Sequence, residues 1–205
     1  MIVAALIVIA KDPRPGRSKT RLCPPCLPAQ AADLAEAALR DTLEVVRSVR
    51  AHRHVLLLDG DDTRWRDAGF EILGQRGAGL DERLENAFAE VGGPALLVGM
   101  DTPQLTGELL REGLDALGGH AAVLGPAYDG GYWSVGMRAP APGAFRGVAM
   151  SAQDTCARQR ERFGALGLST YEQATLRDID TIADAHAVAA EVPGSRFAAA
   201  LRELG

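Results

Sequence analysis

Short, continuous apolar runs alternate with longer amphipathic stretches along the chain. Val3–Ala10, Val55–Leu58, Phe70–Leu73, Ala95–Met100 and Ala121–Leu124 are rich in Val, Ile and Leu, the pattern of strands buried on both faces. Tyr132–Met137 and Leu168–Tyr171 read as two further strands. Between them, Ala29–Arg50 carries Leu34, Ala38, Leu43 and Val46 at helical spacing. Leu80–Val91, Thr106–Leu117, Ser151–Gly164, Ile182–Glu191 and Arg196–Leu204 predict five more helices. Strands alternating with helices imply an α/β fold, a three-layer sandwich whose mostly parallel central sheet is covered on both faces. No repeat, low-complexity linker or boundary interrupts the pattern, so residues 1–205 are expected to form a single domain.

In such sheets ligands bind beyond the carboxyl ends of the strands, so the loops that follow strands are the places to look for chemistry. Lys11–Leu22 follows the first strand directly. Arg17, Lys19 and Arg21 stand at alternate positions in it, and loop amides freed around Gly16 would join them in a polyphosphate cradle. A solvated basic loop is the plainer alternative. The Walker spacing and the dinucleotide G-x-G-x-x-G are both absent.

Three acidic segments complete the candidate chemistry. In Gly99-Met100-Asp101-Thr102-Pro103 the carboxylate falls at a strand end, a position suited to Mg²⁺ or Mn²⁺; helix capping falls better to Thr106. Asp129-Gly130-Gly131-Tyr132-Trp133 allows either close backbone approach to a ligand or a tight turn into a hairpin, and the residues leave both open. Asp178-Ile179-Asp180-Thr181 puts both acids on one face if extended. One of them could complete a metal site with Asp101, or Thr181 could simply cap the next helix.

Composition sharpens the first loop and excludes several classes. Of 22 basic residues only Lys11 and Lys19 are lysine, and both lie in that loop. Lysine is a compact point charge for phosphate that arginine's planar fork does not replace one for one. The net charge of −5 and a pI near 5.4 argue against nucleic-acid binding. No apolar run reaches transmembrane length, and Met1–Ala10 lacks the basic flank and cleavage site of a signal peptide. A cytoplasmic protein with no membrane partner is expected, and a homodimer is compatible with the sequence. Three cysteines make no disulfide framework, and Cys23-Pro24-Pro25-Cys26 lacks the second pair that a zinc site would need. The four histidines fall in no nucleophile–base–acid pattern.

The run K-x-P-x-P-G-R-x-K-T-R-L, followed in order by G-x-D-T-P-x-L, G-P-A-x-D-G-G-Y-W and D-I-D-T, resembles the GT-A-fold nucleotide-diphospho-sugar transferase-like family. Within it, the chain looks like the branch labelled uncharacterised or arsenosugar-type glycosyltransferase. More distantly it is similar to the 2-phospho-L-lactate and molybdenum-cofactor guanylyltransferases. The resemblance spans roughly Ile2 to Ala185 and extends to Gln75–Arg83, where it implies nucleotide contacts at Gln75 and Gly77. It further implies phosphates along Gly16–Arg21 and a metal on Asp101 with Asp180. Asp12 and the Cys23/Cys26 pair depart from the family pattern.

Two reactions fit these residues. In nucleotidyl transfer, an acceptor phosphate attacks the α-phosphorus of a nucleoside triphosphate and releases pyrophosphate. Lys19, Arg21, Arg17 and a Mg²⁺ on Asp101 would neutralise charge, Lys11 would assist at the strand end, and no general base is needed. In glycosyl transfer from a nucleotide sugar, Asp129 would act as base toward an acceptor hydroxyl. The basic loop and the absence of a D-x-D beside Asp101 favour the first. In either case a small acceptor would sit near Asp129, Gly130, Gly131 and Trp133. A non-catalytic nucleotide-binding regulator is the third reading.

Overall fold

The computed structural model describes residues 3–204. Its strands are β1 (Ala5–Lys11), β2 (Arg53–Asp59), β3 (Glu71–Gly74), β4 (Ala95–Gly99), β5 (Ala122–Pro126), β6 (Tyr132–Met137) and β7 (Thr170–Glu172). Its helices are α1 (Pro28–Ser48), α2 (Leu80–Val91), α3 (Gly107–Ala116), α4 (Thr155–Ala165), α5 (Ile182–Glu191) and α6 (Arg196–Arg202). The strands form one sheet in the order β3-β2-β1-β4-β6-β5-β7, all parallel except β6. The expected α/β architecture with a mostly parallel sheet is what the chain adopts.

Alternation along β1 explains the two layers of core. Leu6, Val8 and Ala10 face α1 and α3, where they pack with Leu39, Leu43, Leu56, Leu96 and Leu110. Ile7 faces α2 and α4 with Leu57, Leu84, Phe88, Leu97, Phe145 and Phe163. Burial on both faces is why β1 reads as an unbroken apolar run.

A third apolar cluster lies off the sheet. It gathers Leu34 of α1, Val188 of α5 and Phe197 and Leu201 of α6 around two loop residues, Leu22 and Ile179. Leu22 belongs to the basic loop and Ile179 to the Asp178–Thr181 segment, so one packed cluster holds both loops against each other.

The register places the candidate loops on a common edge. Ile9 of β1 pairs with Gly99 of β4, so the two strands end side by side. Because β6 runs antiparallel to β4, its start at Tyr132 falls at the same edge. Element bounds differ from the sequence pattern by a few residues. The helix expected from Ser151 begins at Thr155, because residues before it form a turn in which Thr155 Oγ1 donates to Ala149 O at 2.8 Å and accepts from Ala152 N at 2.9 Å. The 3-10 turns at Thr20–Leu22 and Arg66–Ala68 are too short to register as a periodicity.

Candidate active site

The loop after β1 is built from its buried end outward. The Asp12 carboxylate, almost wholly buried, accepts hydrogen bonds from Arg14 Nε at 2.7 Å, Trp65 Nε1 at 3.2 Å and Arg64 at 3.4 Å. A buried carboxylate needs such donors, and together they fix the base of the loop. The departure of Asp12 from the family pattern is thereby explained as an anchor. The following turn closes when the N–H groups of Arg17 and Ser18 donate to Arg14 O at 3.0 and 3.2 Å, with Gly16 at φ 74°. These two amides are therefore spent inside the loop, contrary to the expectation that they are free for phosphate. What the loop presents is side chains.

Lys19 adopts a left-handed conformation (φ 49°, ψ 40°), uncommon for a residue with a Cβ, and turns its side chain inward. Nζ donates to Ile179 O and pairs with Asp101 Oδ2 at 2.8 Å. Arg21 reaches the same segment, pairing with Asp180 Oδ2 at 2.7 Å. Ile179 N donates in turn to Asp101 O at 3.1 Å.

Beside these cations lies an acidic cluster. Asp129, Asp178 and Asp180 each bring a carboxylate oxygen within 4.8 Å of the other two. Asp129 stands on the β5–β6 hairpin, where its Oδ1 accepts from Gly131 N at 2.7 Å. Gly130, at φ +89°, packs so closely on the Gln153 carbonyl that a Cβ would overlap it. Of the two readings of Asp-Gly-Gly, the tight turn into a hairpin is the one seen, and it carries Asp129 to the cluster. Burial, then the charges of Asp129 and Asp180, push the Asp178 carboxyl up to about 6, although Lys19 pulls the other way. Three crowded hard oxygen donors with excess negative charge suit a divalent cation of the Mg²⁺/Mn²⁺ kind. Asp178 joins Asp180 in the cluster, as the alternation of the two acids along an extended segment allows. Asp101 lies outside this trio, engaged with Lys19.

Of the cluster, Asp180 joins the basic loop in lining a cleft of about 620 Å³ at the sheet edge. Lys11, Arg17, Lys19, Arg21, Gln75, Asp101, Trp133 and Asp180 all line it, whereas Gly16 and Gly77 stand outside the lining and shape its loops. The Gln75 amide is committed to the scaffold: Nε2 donates to Ala10 O at 2.8 Å and Leu57 O at 3.1 Å, and Oε1 accepts from Arg83 at 3.1 Å. Gly77 is tight against Glu82, whose carboxylate accepts from Ala78 N at 2.8 Å. A neighbouring cavity of about 170 Å³ is lined by Asp129, Gly131, Thr155 and Asp178, and shares Gly99, Asp101, Tyr132 and Trp133 with the cleft. Trp133 is nearly all buried, with its indole N–H donated to Ala174 O at 3.0 Å. Burial pushes the neighbouring Tyr132 hydroxyl far above the ordinary tyrosine range, keeping it protonated.

Cys23 and Cys26 are free thiols. Cys26 is buried in the third apolar cluster, where burial pushes its thiol up. Among the described residues, neither joins a group of three or more potential metal ligands.

By fold and by likeness to solved structures this is a transferase of the nucleotide-diphospho-sugar transferase-like class. The chain belongs to the family described as "Uncharacterized protein conserved in bacteria (DUF2064)", whose model matches residues 32–152. It is similar to a proposed nucleotide-diphospho-sugar transferase from Desulfovibrio desulfuricans G20, at 26% identity and a TM-score of 0.88 over 99% of this chain and 95% of that one. It shares its fold with a nucleotidyl transferase from Methanothermobacter (13% identity, TM-score 0.60, 91% and 95% of the chains). It also shares it with Rv0371c from Mycobacterium tuberculosis H37Rv, solved with manganese (21% identity, TM-score 0.55, 90% and 96%). No curated protein matches the chain. Among the described residues no helix is long and apolar enough to cross a membrane.

Proposed function

We propose that residues 1–205 act as one nucleotide-binding domain that joins an NTP-derived nucleotide to a small phosphorylated acceptor and releases pyrophosphate. The observation that carries this reading is the pairing of the two loop cations, Lys19 and Arg21, with Asp101 and Asp180 at the mouth of the cleft. Cations held in place by carboxylates are pre-positioned to take phosphate oxygens in exchange.

In the proposed reaction an acceptor phosphate oxygen forms a bond to the α-phosphorus, and the α–β bridging P–O bond breaks with its electron pair leaving on pyrophosphate. Lys19, inward-facing and only 10% exposed at its side chain, holds the α/β-phosphate oxygens as charge shifts toward the leaving group. Arg21 and Arg17 cover the outer phosphates, with Lys11 at the end of β1. Asp129, Asp178 and Asp180 would hold Mg²⁺ or Mn²⁺, with Asp101 facing them across Lys19. A bound cation would supply charge neutralisation at the phosphate oxygens. The acceptor takes the smaller cavity beside Asp129, Gly131 and Trp133, and its phosphate, already ionised, requires no general base.

Glycosyl transfer from a nucleotide sugar is the second reading. It is supported by the exposed Asp129 carboxylate in the smaller cavity, where it could accept a proton from an acceptor hydroxyl. Incubation with Mn²⁺, single nucleoside triphosphates and a pool of phosphorylated small molecules tests the first reading by the appearance of pyrophosphate. Nucleoside diphosphate released from nucleotide sugars, with no pyrophosphate from any triphosphate, would transfer the proposal to the second.

A further inference from the structure

Six residues line both the cleft and the smaller cavity: Leu80, Gly99, Asp101, Tyr132, Trp133 and Ser151. They form the seam across which a group leaving one cavity enters the other. Leu80 and Gly99 offer no polar side-chain atom. Asp101 is paired with Lys19 at 2.8 Å, the Tyr132 hydroxyl faces Met150 Sδ at 3.5 Å, and the Trp133 indole N–H is donated to Ala174 O at 3.0 Å. That leaves Ser151, exposed at the seam, whose hydroxyl makes no hydrogen bond among the described residues.

The backbone there is held in an unfavourable conformation. Ser151 adopts φ 60°, and among the described residues Lys19 is the only other non-glycine residue at positive φ. Glycine is the usual occupant of such a position, because a Cβ is crowded in it. The turn around Ser151 is fixed on the side of α4. Thr155 Oγ1 accepts from Ala152 N at 2.9 Å and donates to Ala149 O at 2.8 Å, and Thr155 N donates to Ala152 O at 3.1 Å. Cys156 N donates to Gly130 O at 2.8 Å, which ties the same turn to the Asp129 hairpin. A strained serine, over-determined by its neighbours and with a free hydroxyl between two cavities, has the arrangement of a preorganised donor.

We propose that Ser151 touches the group being transferred, its hydroxyl donating a hydrogen bond to an oxygen of that group between the cleft and the smaller cavity. In nucleotidyl transfer that oxygen is a non-bridging oxygen of the α-phosphate, where charge rearranges as the acceptor attacks and pyrophosphate leaves. The serine keeps its proton and forms no bond to phosphorus. The inference rests on the donor lying in the cleft and the acceptor in the smaller cavity, as proposed above.

Two variants separate the hydroxyl from the strain. Ser151→Gly removes both and should melt no lower than wild type, whereas Ser151→Ala removes the hydroxyl and keeps the strain. Both should lower kcat for pyrophosphate release by about 10²-fold, the loss of one preorganised donor at a reacting phosphate. The Kd for a nucleoside triphosphate with Mn²⁺ should stay within about threefold, because the contact strengthens only in the transition state. Turnover within about threefold of wild type in both variants overturns the assignment. So does a loss confined to Ser151→Ala that comes with a lower melting temperature, the mark of a merely structural role. Absence of pyrophosphate from wild type with every triphosphate counts against the nucleotidyl reading itself. The variants are then compared on nucleoside diphosphate released from nucleotide sugars, where a similar drop supports the role of Ser151 and an unchanged rate overturns it. A wild-type protein that turns over neither class of donor overturns both.

Discussion

Lys19 Nζ lies 2.8 Å from Asp101 Oδ2 and also donates to the carbonyl oxygen of Ile179, 160 residues further along the chain. One ammonium therefore links the loop after β1, the end of β4 and the Asp178–Asp180 segment. Leu22 and Ile179, buried in one cluster, hold the same segments together from behind.

Removing that ammonium should damage function far more than folding. Lys19→Ala should lower kcat/KM by about 10²–10³-fold, the range for losing one preorganised charged donor at a reacting phosphate. Asp101 is 40% exposed at its side chain, so the lost pair should cost no more than about 1 kcal/mol of stability. Lys19→Arg should rescue poorly, because a fork does not fit where a single donor bridges a carbonyl and a carboxylate. Steady-state kinetics beside thermal melts separate the two effects.

Buried beside two other carboxylates, Asp178 should contribute less to metal-free stability as pH rises. Asp178 titrates at about 6 when folded against 3.8 in an unstructured chain. The folded protein therefore keeps a proton that the unfolded chain has lost across this window, and the contribution of Asp178 to stability declines from about pH 4 to pH 6. Asp178→Asn should remove that decline. At pH 7 in chelator it should raise stability by about 1 kcal/mol after solvent screening, or roughly 2–4 °C in Tm. A variant that melts lower than wild type at pH 7 would mean that burial beside Asp129 and Asp180 carries no net penalty for the Asp178 carboxylate.

Gly130→Ala should unfold the hairpin locally. The new Cβ would meet the Gln153 carbonyl, and φ +89° is strained for any L side chain. A loss of about 2 kcal/mol or more is expected in denaturant melts. Mn²⁺ should then stabilise the protein less, because Asp129 rides on that turn.

Asp12→Ala should be among the costliest single changes outside the hydrophobic layers. It leaves Arg14, Arg64 and Trp65 Nε1 without their shared acceptor, with an expected loss of about 3 kcal/mol. Cys23→Ser, by contrast, should change neither stability nor turnover appreciably. Parallel urea titrations of the two variants would expose any exchange of roles.

Much of this fold was legible because each strand carries its own signature. The double-sided burial of β1, β2 and β4 leaves unbroken apolar runs, and the apolar spacing in α2 gives its bounds without error. The reversed direction of β6 was legible only as the hairpin reading of Asp129-Gly130-Gly131, which sets it antiparallel to β5. Its place beside β4 was not legible, because there it pairs with residues 36 to 42 positions earlier. Within the site, Lys19, Arg21, Asp101, Asp129 and Asp180 could be singled out from position after strands or in short motifs. Their pairing could not, because Lys19 meets Asp101 and Arg21 meets Asp180 only once Leu22 and Ile179 are buried together. The spent amides of Arg17 and Ser18 depend on a turn closing on Arg14 O, which composition around Gly16 does not specify.

The most direct test of the nucleotidyl-transfer reading is thermal unfolding with Mn²⁺ against parallel series of nucleoside triphosphates and nucleotide sugars. At 100 times its Kd a ligand adds about 2.7 kcal/mol to stability. The account predicts that at least one triphosphate stabilises wild type more than any nucleotide sugar does, and that Lys19→Ala and Asp178→Asn each abolish the shift. Stabilisation by nucleotide sugars alone, or a triphosphate shift that survives in both variants, would contradict it.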